Sequence, residues 1–233
     1  MRRCLACHQT YYDQPGWRSV FMLEEPSHFC SMCEEQLTPI KGTRCDLCSR
    51  SMNELPIHYI VENVCLDCYR WEQHPELLLE KNHSVYEYND FLKDLISTFK
   101  FRGDAAMGIF FAEKVKNEYK NHFSSYVPLA MPLSDQRLLG RGFNQSRLLM
   151  QGWTSCPEWL IRKEGEKQSK KSRKQRIHEV SHTPFSLKEH ANVVGQQIVL
   201  IDDVYTTGTT VRQAARVLLN HGALKVASLT IAR

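Results

Sequence analysis

Eight of the nine cysteines in this 233-residue chain fall into four Cys-x-x-Cys pairs: Cys4/Cys7, Cys30/Cys33, Cys45/Cys48 and Cys65/Cys68. A Cys-x-x-Cys turn aims two thiolates at one point, and two such turns complete a tetrahedral zinc site. The segments between pairs, 22 residues from Cys7 to Cys30 and 16 from Cys48 to Cys65, suit a short ribbon hairpin between knuckles. Joining the first pair to the second and the third to the fourth gives two Cys4 sites; an interleaved pairing uses the same ligands. A redox Cys-x-x-Cys is expected beside a βαβ pattern, which these residues lack. The first 80 residues hold few large apolar side chains, so metal is expected to order them. Structural zinc contributes about 10–16 kcal/mol to such folds. Four thiolates fill each site, which leaves His8, His28, His58 and His74 as surface residues. Cys156 stands alone and reads as a small buried side chain.

The start of the chain, MRRCLACHQTYY, has no apolar run after its basic residues and is not expected to act as a signal peptide. No apolar stretch reaches the ~20 residues that cross a bilayer. The expected location is therefore the cytoplasm, where cysteines are not kept as disulfides. Apolar residues at 42% and charged residues at 24% exclude wholesale disorder.

Charge divides the chain where the cysteines stop. Residues 1–80 carry 7 Lys/Arg against 12 Asp/Glu, and residues 81–233 carry 23 against 14. Two thiolate-rich zinc sites make the first part more acidic still. Phosphate binding needs cations, so this part is expected to dock a protein or act as a lid rather than grip nucleic acid. The densest positive run, Arg162–Arg176 (RKEGEKQSKKSRKQR), has eight basic and two acidic residues and no apolar period. It is expected to be a loop. Two readings stand: a solvated surface loop, or a clamp over polyphosphate or single-stranded nucleic acid through Lys170, Lys171, Arg173, Lys174 and Arg176. With no aromatic residue inside it, the run offers charge without base stacking.

From about residue 85 strand-like and helical patterns alternate. Strands are expected at Val85–Tyr88, Tyr126–Leu133, Trp159–Arg162, Gln197–Ile201 and Lys225–Ala232. Helices are expected after Asn89 or Asp90, after Asp104 through about Lys120, at Phe143–Gly152, and at Thr209–Asn220 before Gly222. Such alternation predicts an α/β domain, a mainly parallel sheet with helices on both faces. No internal repeat is evident. The expected division is 1–80 for a double zinc-ribbon region and 81–233 for the α/β domain.

The stretch VLIDDVYTTGTT, Val199–Thr210, carries the chemistry. Its apolar strand delivers Asp202 and Asp203 at the carboxyl end, where open parallel sheets bind ligands. Thr206, Thr207, Gly208, Thr209 and Thr210 then form a small-residue turn into a helix, a cradle of N–H groups for a phosphate. Gly208 is expected to allow close approach of the anion. Carboxylates beside that cradle repel a bare polyphosphate but accept from the hydroxyls of a sugar phosphate. No GxxxxGK[ST] occurs, which excludes a P-loop.

This stretch resembles the signature of type I phosphoribosyltransferases. The whole chain resembles the ComF family, which joins a double zinc ribbon to such a domain and is associated with competence for DNA uptake. The four Cys-x-x-Cys pairs, Phe99–Asp104 (FKFRGD), Pro132–Ser146 (PLSDQRLLGRGFNQS) and Val199–Thr210 carry the resemblance. It implies that Asp202 and Asp203 bind ribose hydroxyls and Thr206–Thr210 the 5-phosphate of phosphoribosyl pyrophosphate. Pro132, Leu133 and Ser134 take the place of the pyrophosphate loop, with Arg141, Lys100 and Arg102 nearby. Mg²⁺ arrives with the pyrophosphate, and the basic run matches the mobile loop. The chain departs from the family at Lys171 and Ile177, where an apolar residue and an asparagine are usual. It carries Thr206 where purine-salvage enzymes carry an aspartate, so no carboxylate is offered there to the incoming base. The resemblance further implies handling of single-stranded DNA beside a ComFA-type competence translocase, with recruitment to the membrane-associated uptake machinery. The alternative it leaves is an active phosphoribosyltransferase with an unknown acceptor.

Overall fold

The computed structural model describes residues 1–12, 28–74, 78–102, 105–164 and 183–233. Lys170, Lys171, Arg173, Lys174, Arg176 and Ile177 lie outside the described residues, as do Asp104 and the side chain of Arg102.

The N-terminal region opens with a hairpin, β1 (Arg2–Arg3) and β2 (Thr10–Tyr11), paired antiparallel. Its turn is the first knuckle: Cys4 N–H donates to Gln9 O at 2.9 Å and His8 N–H to Cys4 O at 3.0 Å. The second pair lies at the start of a short helix, α1 (Ser31–Glu34), with Cys30 as its N-cap residue. The third and fourth pairs repeat this construction. Cys45 N–H donates to Arg50 O at 2.8 Å and Ser49 N–H to Cys45 O at 2.9 Å. A 3₁₀ turn (Ile57–Tyr59) then leads through the hairpin β3 (Ile60–Val61) and β4 (Val64–Cys65) into α2 (Leu66–Glu72), capped by Cys65. His8 and Ser49 occupy equivalent left-handed positions, φ 60° and 59°. The sequence hides this internal repeat because backbone geometry defines it and the side chains between the cysteines differ.

The central sheet has strand order β5-β10-β9-β6, all parallel: β5 (Asn82–Tyr86), β6 (Val127–Ala130), β9 (Gln197–Val204) and β10 (Lys225–Ala232). Between β5 and β6 run α3 (Asp90–Arg102) and α4 (Ala105–His122). Asn89 Oδ1 caps α3 by accepting from Leu92 N–H at 2.8 Å. After β6 come α5 (Asp135–Arg141) and α6 (Gln145–Leu148), then the antiparallel hairpin β7 (Leu160–Arg162) and β8 (Phe185–Leu187). The last helix, α7 (Thr209–Asn220), follows β9.

The pleat of β9 sorts its side chains between two cores. Val199 and Ile201 join Leu92, Leu95, Ile96 and Phe99 of α3 and Met107, Phe110, Phe111 and Val115 of α4. Ile198 and Leu200 join Val211, Ala214, Ala215 and Leu218 of α7, with Leu160 and Phe185 from the small hairpin. The helical period of these positions explains why α3 and α7 form where they do. The cysteines are not a separate core. Cys4, Cys30 and Cys33 pack into the first cluster with Phe29, and Cys45, Cys48, Cys65 and Cys68 into the second. The N-terminal region thus offsets its shortage of large apolar residues by sharing the two cores of the sheet as well as by its thiolates. Cys156, expected buried, is half-buried at the margin of the first core.

Candidate functional site

The eight paired cysteines gather in sequence order. Cys4, Cys7, Cys30 and Cys33 form one group and Cys45, Cys48, Cys65 and Cys68 the other, all sulfurs of a group lying within 4.8 Å of one another. A zinc ion about 2.3 Å from four tetrahedral sulfurs sets them roughly 3.8 Å apart. Cys7 and Cys30 are 3.8 Å apart and Cys48 and Cys65 3.7 Å. Both groups therefore fit zinc as it would be held by four thiolates, and the pairing is sequential rather than interleaved. Among the described residues no histidine joins either group.

At the carboxyl ends of β9 and β6 a cleft of about 440 Å³ opens. Asp202, Asp203, Val204, Thr206 and Thr210 line one side, and Met131, Pro132 and Leu133 the other. Lys100, Arg137, Arg141 and Arg162 bring positive charge, and Gln145 completes the wall. Asp202 Oδ1 accepts from Ser146 Oγ at 3.1 Å and from the Asp203 N–H at 2.9 Å. Burial, and then the charge of Asp203, push the Asp202 carboxyl up to about 7. Asp203 is buried and ion-paired with Lys100. The two acids thus present less negative charge than their formal sum, which lowers the barrier to an anionic ligand.

The turn into α7 is held from below. Thr207 Oγ1 and Thr209 Oγ1 are 2.9 Å apart, and both residues are buried, while Thr206 and Thr210 face the cleft. Gly208 caps α7 in the left-handed region at φ 77°. A Cβ there would also meet the Tyr205 ring and the Arg212 guanidinium, so packing favours glycine here alongside any role toward a ligand.

The stretch Arg141–Ser146 builds the facing wall by local hydrogen bonds. Gly142 ends α5 with a left-handed φ of 77°. Asn144 caps α6 through Ser146 N–H at 2.9 Å and donates to Met131 O at 3.0 Å, tying that helix to the loop after β6. Gln145 Oε1 accepts from Arg141 Nη1 at 2.8 Å, which orients the guanidinium. Ser134 is buried as the N-cap residue of α5. Sequence reasoning missed Arg137, Gln145 and Arg162 as lining residues. Arg137 and Arg141 are four apart on α5, a spacing that puts them on one helix face, but no helix was expected in that segment. Arg162 was read as the end of a strand and the start of the basic run.

Behind the turn stands the second cysteine group. Trp71 Nε1 donates to Thr207 O at 2.8 Å. Arg212 lies 4.3 Å over the Trp71 ring and bonds Tyr205 Oη. Arg233 donates to Thr206 O at 2.7 Å and to Cys48 Sγ at 3.2 Å.

A phosphoribosyl transferase domain family matches residues 159–233, the part that contains the acids and the turn. The chain is 38% identical to the competence protein ComFC of Bacillus subtilis, over 99% of this chain and 94% of that protein. It is 29% identical to the competence protein ComFC of Streptococcus pneumoniae, over 99% and 100%. It is 28% identical to the DNA utilization protein YhgH of Salmonella typhi, over 88% and 96%.

Proposed function

Because the chain belongs to the ComF family, we propose that it is a competence protein that handles incoming single-stranded DNA and binds phosphoribosyl pyrophosphate in the cleft of its phosphoribosyltransferase-like domain. The observation that carries this reading is the meeting of Asp202, Asp203, Thr206 and Thr210 with Pro132, Leu133 and four cations around one cavity. On this reading Thr206, Thr207, Gly208, Thr209 and Thr210 hold the 5-phosphate, and the acids accept from the ribose hydroxyls. Lys100, Arg141, Arg137 and Arg162 face the pyrophosphate beside Pro132, Leu133 and Ser134. Mg²⁺ supplies charge neutralisation for the pyrophosphate, held mostly by ligand oxygens and water.

Residues 1–80 serve as the double zinc-ribbon region and 81–233 as the ligand domain. The acidic ribbon region docks a ComFA-type translocase, and the basic run holds the DNA backbone. No helix among the described residues is long and apolar enough to cross a membrane. Work in the cytoplasm, with recruitment to the uptake machinery, belongs to the same proposal. The acidic pair supports a second reading, transfer of the phosphoribosyl group to an unknown acceptor, because a groove for DNA alone gains nothing from Asp202 and Asp203.

One titration series tests both halves. Calorimetry with phosphoribosyl pyrophosphate and Mg²⁺ is expected to show millimolar or tighter binding that Asp202→Ala with Asp203→Ala abolishes; unchanged affinity refutes the site. Single-stranded DNA binding is expected to weaken with salt, and neutralising Lys170, Lys171, Arg173 and Lys174 together to flatten that dependence. An unaltered slope places the DNA elsewhere.

A further inference from the structure

A third group of ligating side chains lies outside the cysteine clusters and the cleft. His83 is buried on the edge strand β5, two strands from the acids of β9, and Glu118 and His122 are four residues apart on α4. One donor atom from each lies within 4.8 Å of the others. From this convergence we propose a third metal site, open to water, for a divalent transition ion of the zinc type held by His83, Glu118 and His122.

The geometry is that of ligands aimed at a common point. The Nε2 atoms of both rings approach the same carboxylate oxygen, Glu118 Oε2, at 2.7 Å and 3.4 Å. Two ring donors serving a carboxylate alone have an oxygen each available; here they share one. Donors that each lie about 2.0–2.2 Å from a tetrahedral ion stand roughly 3.3–3.5 Å apart, so slight opening of the His83–Glu118 contact admits one. The rings lie 4.1 Å apart, tilted by 34°.

The chemistry also selects the ion. One carboxylate, with Arg44 acting on it, is a poor site for Mg²⁺ or Ca²⁺, which take several oxygens. Two imidazoles and a carboxylate suit Zn²⁺, Co²⁺ or Ni²⁺. Three protein ligands, with His122 on the exposed side, leave a fourth position for water.

The test uses the full chain with both Cys4 groups already charged with zinc, titrated with Co²⁺. The expected result is one additional cobalt per chain, with d–d bands but no thiolate-to-cobalt charge transfer, and paramagnetic shifts of the His83 and His122 ring protons. His122→Ala and Glu118→Gln should each lose that ion while keeping the zinc. No additional cobalt in the wild type, a charge-transfer band, unshifted His83 and His122 signals, or an extra ion retained by either variant overturns the site.

Discussion

The two cysteine groups are built alike and placed differently. Each joins a knuckle to the N-cap turn of a helix, with matching backbone hydrogen bonds. The first packs beneath α4, where Phe29 meets the Phe110 ring at 4.7 Å, and its Cys7 is exposed. The second is buried in all four ligands and reaches the other face of the sheet. There Asn82 Nδ2 donates to Cys48 O at 3.2 Å and to Ser84 Oγ at 2.8 Å, within a polar network that includes Ser228 and Thr230. Among the described residues only this second group is joined to the turn between β9 and α7, through Trp71 and Arg233. Two cysteine groups of like construction thus differ in what they hold: the first packs into the core under α4, and the second also bonds the turn between β9 and α7.

The largest effect that would break this comparison is a ligand swap. Cys68→Ser releases α2, which carries Trp71, and should weaken phosphoribosyl pyrophosphate by roughly tenfold or more, about 1.4 kcal/mol. Cys7→Ser, in the first group, should leave affinity within about twofold of the wild type. Calorimetry on both proteins decides the matter. An equal loss from Cys7→Ser would mean that the two groups act on the cleft alike.

A smaller change sharpens it. Trp71→Phe keeps a ring under Arg212 but removes the indole N–H, which leaves the Thr207 carbonyl without that donor. The expected cost is about 1 kcal/mol, roughly fivefold in affinity, with zinc content unchanged. Loss of zinc in this variant would show that Trp71 supports the metal group rather than the turn.

The same contrast shows what the sequence could and could not convey. Residues whose spacing sets their structure were legible: α7 and β10 span the expected Thr209–Asn220 and Lys225–Ala232. The cysteine spacing announced the metal groups. Where packing or polar bonding overrides pattern, the reading failed. Strand β5 begins at Asn82, not Val85, because Asn82, His83 and Ser84 are buried by hydrogen bonding rather than by apolarity. Helix α5 falls in a stretch for which no element was expected: it carries no apolar stripe, and the structure leaves Leu138 and Leu139 exposed. Helix α6 ends at Leu148, short of the expected Gly152. In the cleft the acids and the threonine turn were read from local motif. Arg162, on a distant hairpin, reaches it only through the tertiary fold, and no linear signal encodes the bond from Trp71 to Thr207, 136 residues away.

The smallest expected effect on the comparison, none at all, concerns the strand between the two faces. Burial and Asp203 set the elevated carboxyl of Asp202, with the Asp203 N–H, Ser146 and Lys100 acting against them. Its folded value, raised from 3.8 to about 7, means that the folded state binds the proton more tightly than the unfolded chain. Stability should therefore fall as pH rises from about 4 through about 7 and stay lower above it. Asp202→Asn retains an oxygen to accept from Ser146 and Asp203 and removes the charge. Its advantage in Tm over the wild type should grow from near zero at pH about 4 to several degrees at pH about 8. Thermal melts across that range, repeated in a Cys7→Ser background, should give the same growing difference. A difference that disappears in that background would tie the acid to the first cysteine group and undo the separation between the two faces.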